Sequence, residues 1–243
     1  MGGSFGWGIL ASSSLVIGAL IALRFDLTAR VIGLIMGFGG GVLISAVAFD
    51  LVEEASDKSA GNGALIGGLL AGCLVFFVGD SLIERAGGSE RKDHTGSQED
   101  GSPLAIVLGT VLDGIPESMV IGLTIYQGGE VGAAYLAAVF ISNLPESIAS
   151  TSGLLNSGWK KSRVLGMWIG IAVVSGLASL AGYAAFQDAS PQVIAFVLTF
   201  AAGAILTMLA DTMMPEAYEH GGKWVGVLTT LGFATAYTIH LVD

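Results

Sequence analysis

Two short strings, Asp113-Gly114-Ile115-Pro116-Glu117-Ser118 and Ser142-Asn143-Leu144-Pro145-Glu146-Ser147, sit in the middle of otherwise apolar stretches. On a helix, Asp113 and Glu117 are four residues apart and Asn143 and Glu146 three, so each pair shares a face. If the two helices face each other, three carboxylates and one amide oxygen converge, with Ser118, Ser142 and Ser147 nearby. That is a hard, oxygen-rich donor set of the kind a divalent cation takes. Each proline removes an amide donor, so the carbonyls of Leu112 and Ile141 are expected to lose their helical partners and become further ligands.

The same acids would be costly if they were only structural. All ten Lys and Arg fall in connections or at the ends of apolar stretches, so no internal base is at hand to balance a carboxylate in hydrocarbon. A bound ion or protons must do so. Protonation alone, with the carboxyls acting as a relay, is the main competing reading.

Composition defines the solvent. The chain of 243 residues is 53% hydrophobic and 12% charged with 37 glycines, and its mean hydropathy is +0.75. A soluble domain carries about twice that charged fraction, so this is an integral membrane protein whose partner is the lipid bilayer. Apolar runs of roughly 20 residues suit bilayer-crossing helices, and strand alternation is missing. The first run begins next to Met1 without a basic lead-in and reads as a retained span. Cys73 is the single cysteine, which excludes an internal disulfide and a cysteine-based metal site. A net charge of −10 argues against nucleic acid as a partner and favours cations.

The predicted architecture is all-α and polytopic, with eight transmembrane helices at residues 4–23, 29–53, 62–83, 103–126, 131–155, 164–186, 191–216 and 224–242. Residues 1–243 form a single transmembrane domain, interrupted by a polar, mobile cytoplasmic loop at 84–102 that holds His94. Arg24 and Arg30, Arg85, Arg91 and Lys92, Lys160, Lys161 and Arg163, and Lys223 fall in the odd-numbered connections, and Lys58 alone falls on the other side. The positive-inside rule then places both termini outside a cell membrane.

Residues 38–55 (FGGGVLISAVAFDLVEEA) align without gaps to 200–217 (FAAGAILTMLADTMMPEA), in the second and seventh spans, which run in opposite directions. Spans one to three and six to eight then form an inverted repeat around the central pair, four and five, as in many secondary transporters with interrupted helices. Asp50 and Asp211 are the deepest acids of the repeat and read as pathway ligands. Glu53, Glu54, Glu216 and Glu219 flank them, Asp80 near the inner end of span three reads as structural, and His240 carries no signal of its own.

These residues resemble the ZIP family of zinc- and iron-regulated transporters: eight spans, a variable loop between spans three and four, Pro-Glu at 116 and 145, and Met-Pro-Glu-Ala closing span seven at Ala217. The resemblance covers nearly the whole chain. It implies that Glu117 and Glu146 stand where that family has bridging glutamates, and Asn143 where it has a polar ligand. Asp113 occupies the place of a span-four histidine, and Asp50 and Asp211 fall where pathway ligands occur. Losing the imidazole makes the site harder, favouring Mn²⁺ or Fe²⁺, while zinc, which carboxylates also bind, stays among the ions. The missing ligands argue against a two-metal centre.

The expected function is therefore transport of a divalent metal ion, the substrate, toward the cytoplasm by alternating access. The metal ligands are Asp113, Glu117, Asn143, Glu146 and Ser142, with Asp50 and Asp211 on the path. The resemblance implies that spans one, four, five and six move against two, three, seven and eight. No organic cofactor is implied, and a homodimer is the assembly considered. A divergent metal sensor or proton-coupled carrier is the alternative. An intramembrane enzyme would need a nucleophile with a base, or a charged clamp, inside the bundle, and the sequence offers neither.

Overall fold

The computed structural model describes residues 2–59, 61–83, 85, 103–128 and 133–242, and among them all regular structure is helical. Eight helices follow in order: α1 Gly2–Arg24, α2 Ala29–Lys58, α3 Asn62–Ile83, α4 Pro103–Gly128, α5 Ala133–Asn156, α6 Lys161–Ala185, α7 Pro191–Gly221 and α8 Trp224–His240. Apart from Arg85, the loop expected at 84–102, with His94, lies outside the described residues.

Local chemistry sets most of the boundaries. Thr28 and Ser190 cap α2 and α7, each hydroxyl accepting a 3.4 Å hydrogen bond from the amide three residues on, at Val31 and Val193. Pro191 supplies the fixed φ of a first helical position. Gly158 and Gly222, at φ +81° and +63°, turn the chain after α5 and α7 in a conformation other residues avoid. Two helices outrun their predicted ends. α2 continues from Glu53 to Lys58 because Glu54 and Lys58 pair at 3.4 Å and nothing before Ser59 breaks the helix. α7 continues past Glu216 until Gly221 and Gly222 stop it.

Six helices, α1, α2, α3, α4, α6 and α7, are long and apolar enough to cross a membrane. α8 has 17 residues, at the short end of what crosses a bilayer, and α5 is long enough but carries the polar run from Ser142 to Ser152. Burial ranks the helices: 67% of the most apolar window of α2 and 61% of that of α7 is buried, against 28% for α3. α2 and α7 are thus central. Leu70, Leu74, Phe77 and Leu82 of α3 and Ile169 and Leu177 of α6 form an apolar outer belt suited to lipid.

The most extensive packing divides the helices into two groups. In one, α1 packs on α5 and α6, and α4 packs on α6; in the other, α2 packs on α7 and α8, and α3 on α7. The groups meet along a seam where α2 crosses α5 and α4 touches α7 and α3. Small residues allow these approaches. A methyl group at Gly41 would strike the Thr229 carbonyl, and one at Gly232 the Phe38 carbonyl; at Gly203 and Gly72 it would strike the carbonyls of Leu69 and Phe200. Side chains add ties: Ser179 Oγ donates to the Ser4 carbonyl at 2.8 Å, Thr229 Oγ1 to the Gly37 carbonyl at 3.0 Å, and Trp168 Nε1 to Thr151 Oγ1 at 2.8 Å.

The helices expected to be interrupted are not the ones that depart from α geometry. α4 and α5 stay α-helical through Pro116 and Pro145. Instead α2 is π-helical over Val47–Glu53 and α7 over Leu209–Met213. These segments begin at positions matched in the 38–55 and 200–217 alignment, and they hold Asp50 and Asp211. Each widened turn shifts the facing of the helix beyond it.

Candidate metal site

Every member of the two Pro-Glu strings singled out as a ligand is buried. Asp113, Glu117 and Ser118 on α4, and Ser142, Asn143, Glu146 and Ser147 on α5, are all shielded from solvent. The neighbouring helices press directly on these strings. A Cβ at Gly39 of α2 would lie 3.2 Å from Pro145 Cγ and 3.4 Å from Ser142 Cα, and one at Gly18 of α1 would meet Ser147 Oγ and the Leu144 carbonyl. The hydroxyls of Ser142 and Ser147 donate to the carbonyls of Val139 and Leu144, each at 3.0 Å, which leaves their oxygen lone pairs as acceptors.

The carboxylates do not gather into one tight cluster. Among the described residues no three His, Cys, Asp or Glu side chains stand close enough to hold an ion together. The helix contacts give the reason. Asp113 lines a cleft with Phe76 of α3, Leu112 and Pro116 of α4, and Ala204, Ile205 and Met208 of α7, too narrow to hold a water molecule. Glu117, one turn on, lies within electrostatic reach of Tyr135 on α5. Asp113 thus borders α3 and α7, and Glu117 is felt on α5. An ion bound between α4 and α5 would need Asn143, the serine hydroxyls or water to complete its shell.

Asp50 and Asp211 occupy different surroundings although each sits in a π-helical turn. Asp50 Oδ1 lies 2.8 Å from His240 Nδ1 at the end of α8, with the carboxylate 15% and the imidazole 32% exposed. Phe49 and Tyr237 stack around that imidazole, with ring centroids 5.4 Å and 6.5 Å away. Asp211 is exposed, on the side of α7 that also presents Leu206 and Ala210, so the fold does not bring it to the buried strings. Glu53 and Glu219 are exposed, Glu54 pairs with Lys58, and Asp80 is buried at the end of α3.

Two residues matter here that the sequence did not flag. His240 is 190 positions from Asp50, and only the packing of α8 on α2 joins them. Tyr135 is 2% exposed, and the charges of Glu117 and Asp50 both bear on it. The one signal for Tyr135 was its place near the start of the helix that carries Asn143 and Glu146.

No protein-family profile matches the chain. It is 26% identical over 209 residues, 84% of its length, to an Arabidopsis thaliana protein provisionally named a zinc transporter. The match spans 32% of that relative's length.

Proposed function

We propose that this chain is a membrane carrier of a divalent metal cation, of the ZIP type, which moves its ion along the seam between the two helix groups. The observation that carries the reading is the set of buried carboxylates at that seam, Asp113, Glu117 and Glu146, in a protein whose described Lys and Arg side chains are all unburied. Negative charge in a low-dielectric setting without a buried base attracts a cation. Asn143 and Ser142 complete the oxygen donors, Asp50 supplies an access point, and Asp211 serves a later stage of the path. Zinc, the ion named for the Arabidopsis relative, is one candidate, and the oxygen-only donor set suits Mn²⁺ and Fe²⁺ at least as well.

Packing supports the inverted repeat. Exchanging α1 with α6, α2 with α7, α3 with α8 and α4 with α5 maps the main contacts onto one another: α2–α8 onto α7–α3, and α1–α5 onto α6–α4. The close approaches follow the same exchange, Gly41–Thr229 onto Gly203–Leu69 and Phe38–Gly232 onto Phe200–Gly72. A carrier with this symmetry reaches its two open states by moving one group against the other, here α1, α4, α5 and α6 against α2, α3, α7 and α8, with uptake toward the cytoplasm.

The test is uptake of Mn²⁺, Fe²⁺, Zn²⁺ or Cd²⁺ into vesicles that hold a metal-sensitive dye. Wild type is expected to fill them and the Glu117→Ala, Glu146→Ala double variant to fail. Equal uptake by both would end the site assignment. A second reading, a metal sensor or a proton-coupled carrier, draws on the lack of three converging ligands among the described residues. It predicts that wild type itself carries no metal into the vesicles.

A further inference from the structure

Tyr135 stands near the start of α5 and is 2% exposed, and its hydroxyl makes no hydrogen bond to any described residue. A buried hydroxyl is nearly always bonded, and one left without a partner destabilises the fold that holds it. Phenylalanine would fill the same volume without that cost. Such a group calls for an explanation, and a water or ion outside the chain is a standard one.

The surroundings say what that is. The two charges that bear on the Tyr135 hydroxyl are Glu117 and Asp50, both carboxylates and on different helices. They also differ in access. Asp50 meets the surface, 15% exposed and 2.8 Å from a half-buried His240, whereas Glu117 is buried. Asp50 is thus the acid that solvent reaches, while Tyr135 and Glu117 are both 2% exposed. A divalent cation gains coulombic energy near two carboxylates, and a phenol oxygen within their reach offers it a lone pair without adding a charge to be desolvated.

Resting on the carrier function proposed above, we propose that the Tyr135 hydroxyl is a transit ligand, the oxygen that touches the divalent cation or the water it carries between Asp50 and Glu117. Its neutral charge suits the role. A third carboxylate there would trap the ion, and an apolar side chain would leave a gap in its coordination at the step where it sheds water.

The experiment compares wild type with Tyr135→Phe in metal-loaded vesicles and in thermal unfolding without and with Mn²⁺ or Zn²⁺. The variant is expected to unfold without metal at the same temperature as wild type or higher, because it loses an unbonded hydroxyl. Its kcat/KM for uptake should fall about 10-fold, the size of one hydrogen bond to a charged group. Unchanged kcat/KM for every ion would overturn the proposal while leaving the carrier function standing. A lower unfolding temperature without metal would also overturn it, since the hydroxyl would then be a structural one. If no ion stabilises wild type and none is taken up, both this proposal and the carrier function fall together.

Discussion

Substituting alanine for Gly41 should drive α2 and α8 apart, and substituting it for Gly203 should do the same to α7 and α3. In each case the added Cβ falls well inside van der Waals contact with a backbone carbonyl, of Thr229 or of Leu69. A carbonyl in a helix has no rotamer to adopt, so the backbones themselves must separate. Overpacking of this kind costs about 1–3 kcal/mol. For a chain of this size that lowers the unfolding midpoint by roughly 2–4 °C per kcal/mol. The sites lie on separate helix pairs, so the double variant should lose about the sum of the two. Gly166 and Gly170 on α6 are the controls, because nothing lies within 4 Å of a Cβ at either. Alanine there should be neutral or stabilise by up to about 1 kcal/mol, the usual gain over glycine in a helix. Thermal unfolding of the detergent-purified protein reads all four single variants and the double. Were Gly41→Ala and Gly203→Ala as well tolerated as Gly170→Ala, the close helix approaches and the pseudo-symmetric packing drawn from them would both be wrong.

Other perturbations follow from single contacts. Trp168→Phe removes the 2.8 Å bond to Thr151 and leaves part of a fully buried indole's volume empty, and should cost about 2–3 kcal/mol in thermal unfolding with little effect on uptake. His240→Ala removes the imidazole beside Asp50; because that pair is partly exposed, KM for metal should rise by at most about 5-fold while kcat holds. Lys58→Gln, which breaks the surface pair with Glu54, should shift stability by less than about 0.5 kcal/mol, as a denaturation midpoint would show.

Much of this protein was legible along the chain because the signals are local. Hydropathy and run length pointed to eight helices, and in the structure Thr28, Ser190 with Pro191, and the glycines at 158 and 222 stand at several of their ends. The burial of Asp113, Glu117, Asn143 and Glu146 also followed from sequence, since each sits mid-helix in an apolar stretch. The two overruns, α2 to Lys58 and α7 to Gly221, escaped because hydropathy falls there before any helix breaker arrives.

What a string of residues could not settle was which way each side chain faces and what stands opposite. Pro116 and Pro145 suggested interrupted helices, yet the π-helical turns formed in α2, which has no proline, and in α7, where Pro215 follows the turn. Asp50 and Asp211 both read as pathway ligands from the sequence, but one meets His240 and the other is exposed. That difference depends on facing, which one extra residue in a turn is enough to change. That Asp113 borders residues of α3 and α7, and that Glu117 is felt by Tyr135 on α5, is likewise set by helices distant in sequence. Sequence determined where the charges lie along each helix, since that is a matter of one-dimensional spacing. Only tertiary structure decided that His240 meets Asp50 and that Tyr135 is within electrostatic reach of both Asp50 and Glu117, because contacts between residues as far as 190 positions apart depend on how eight helices pack.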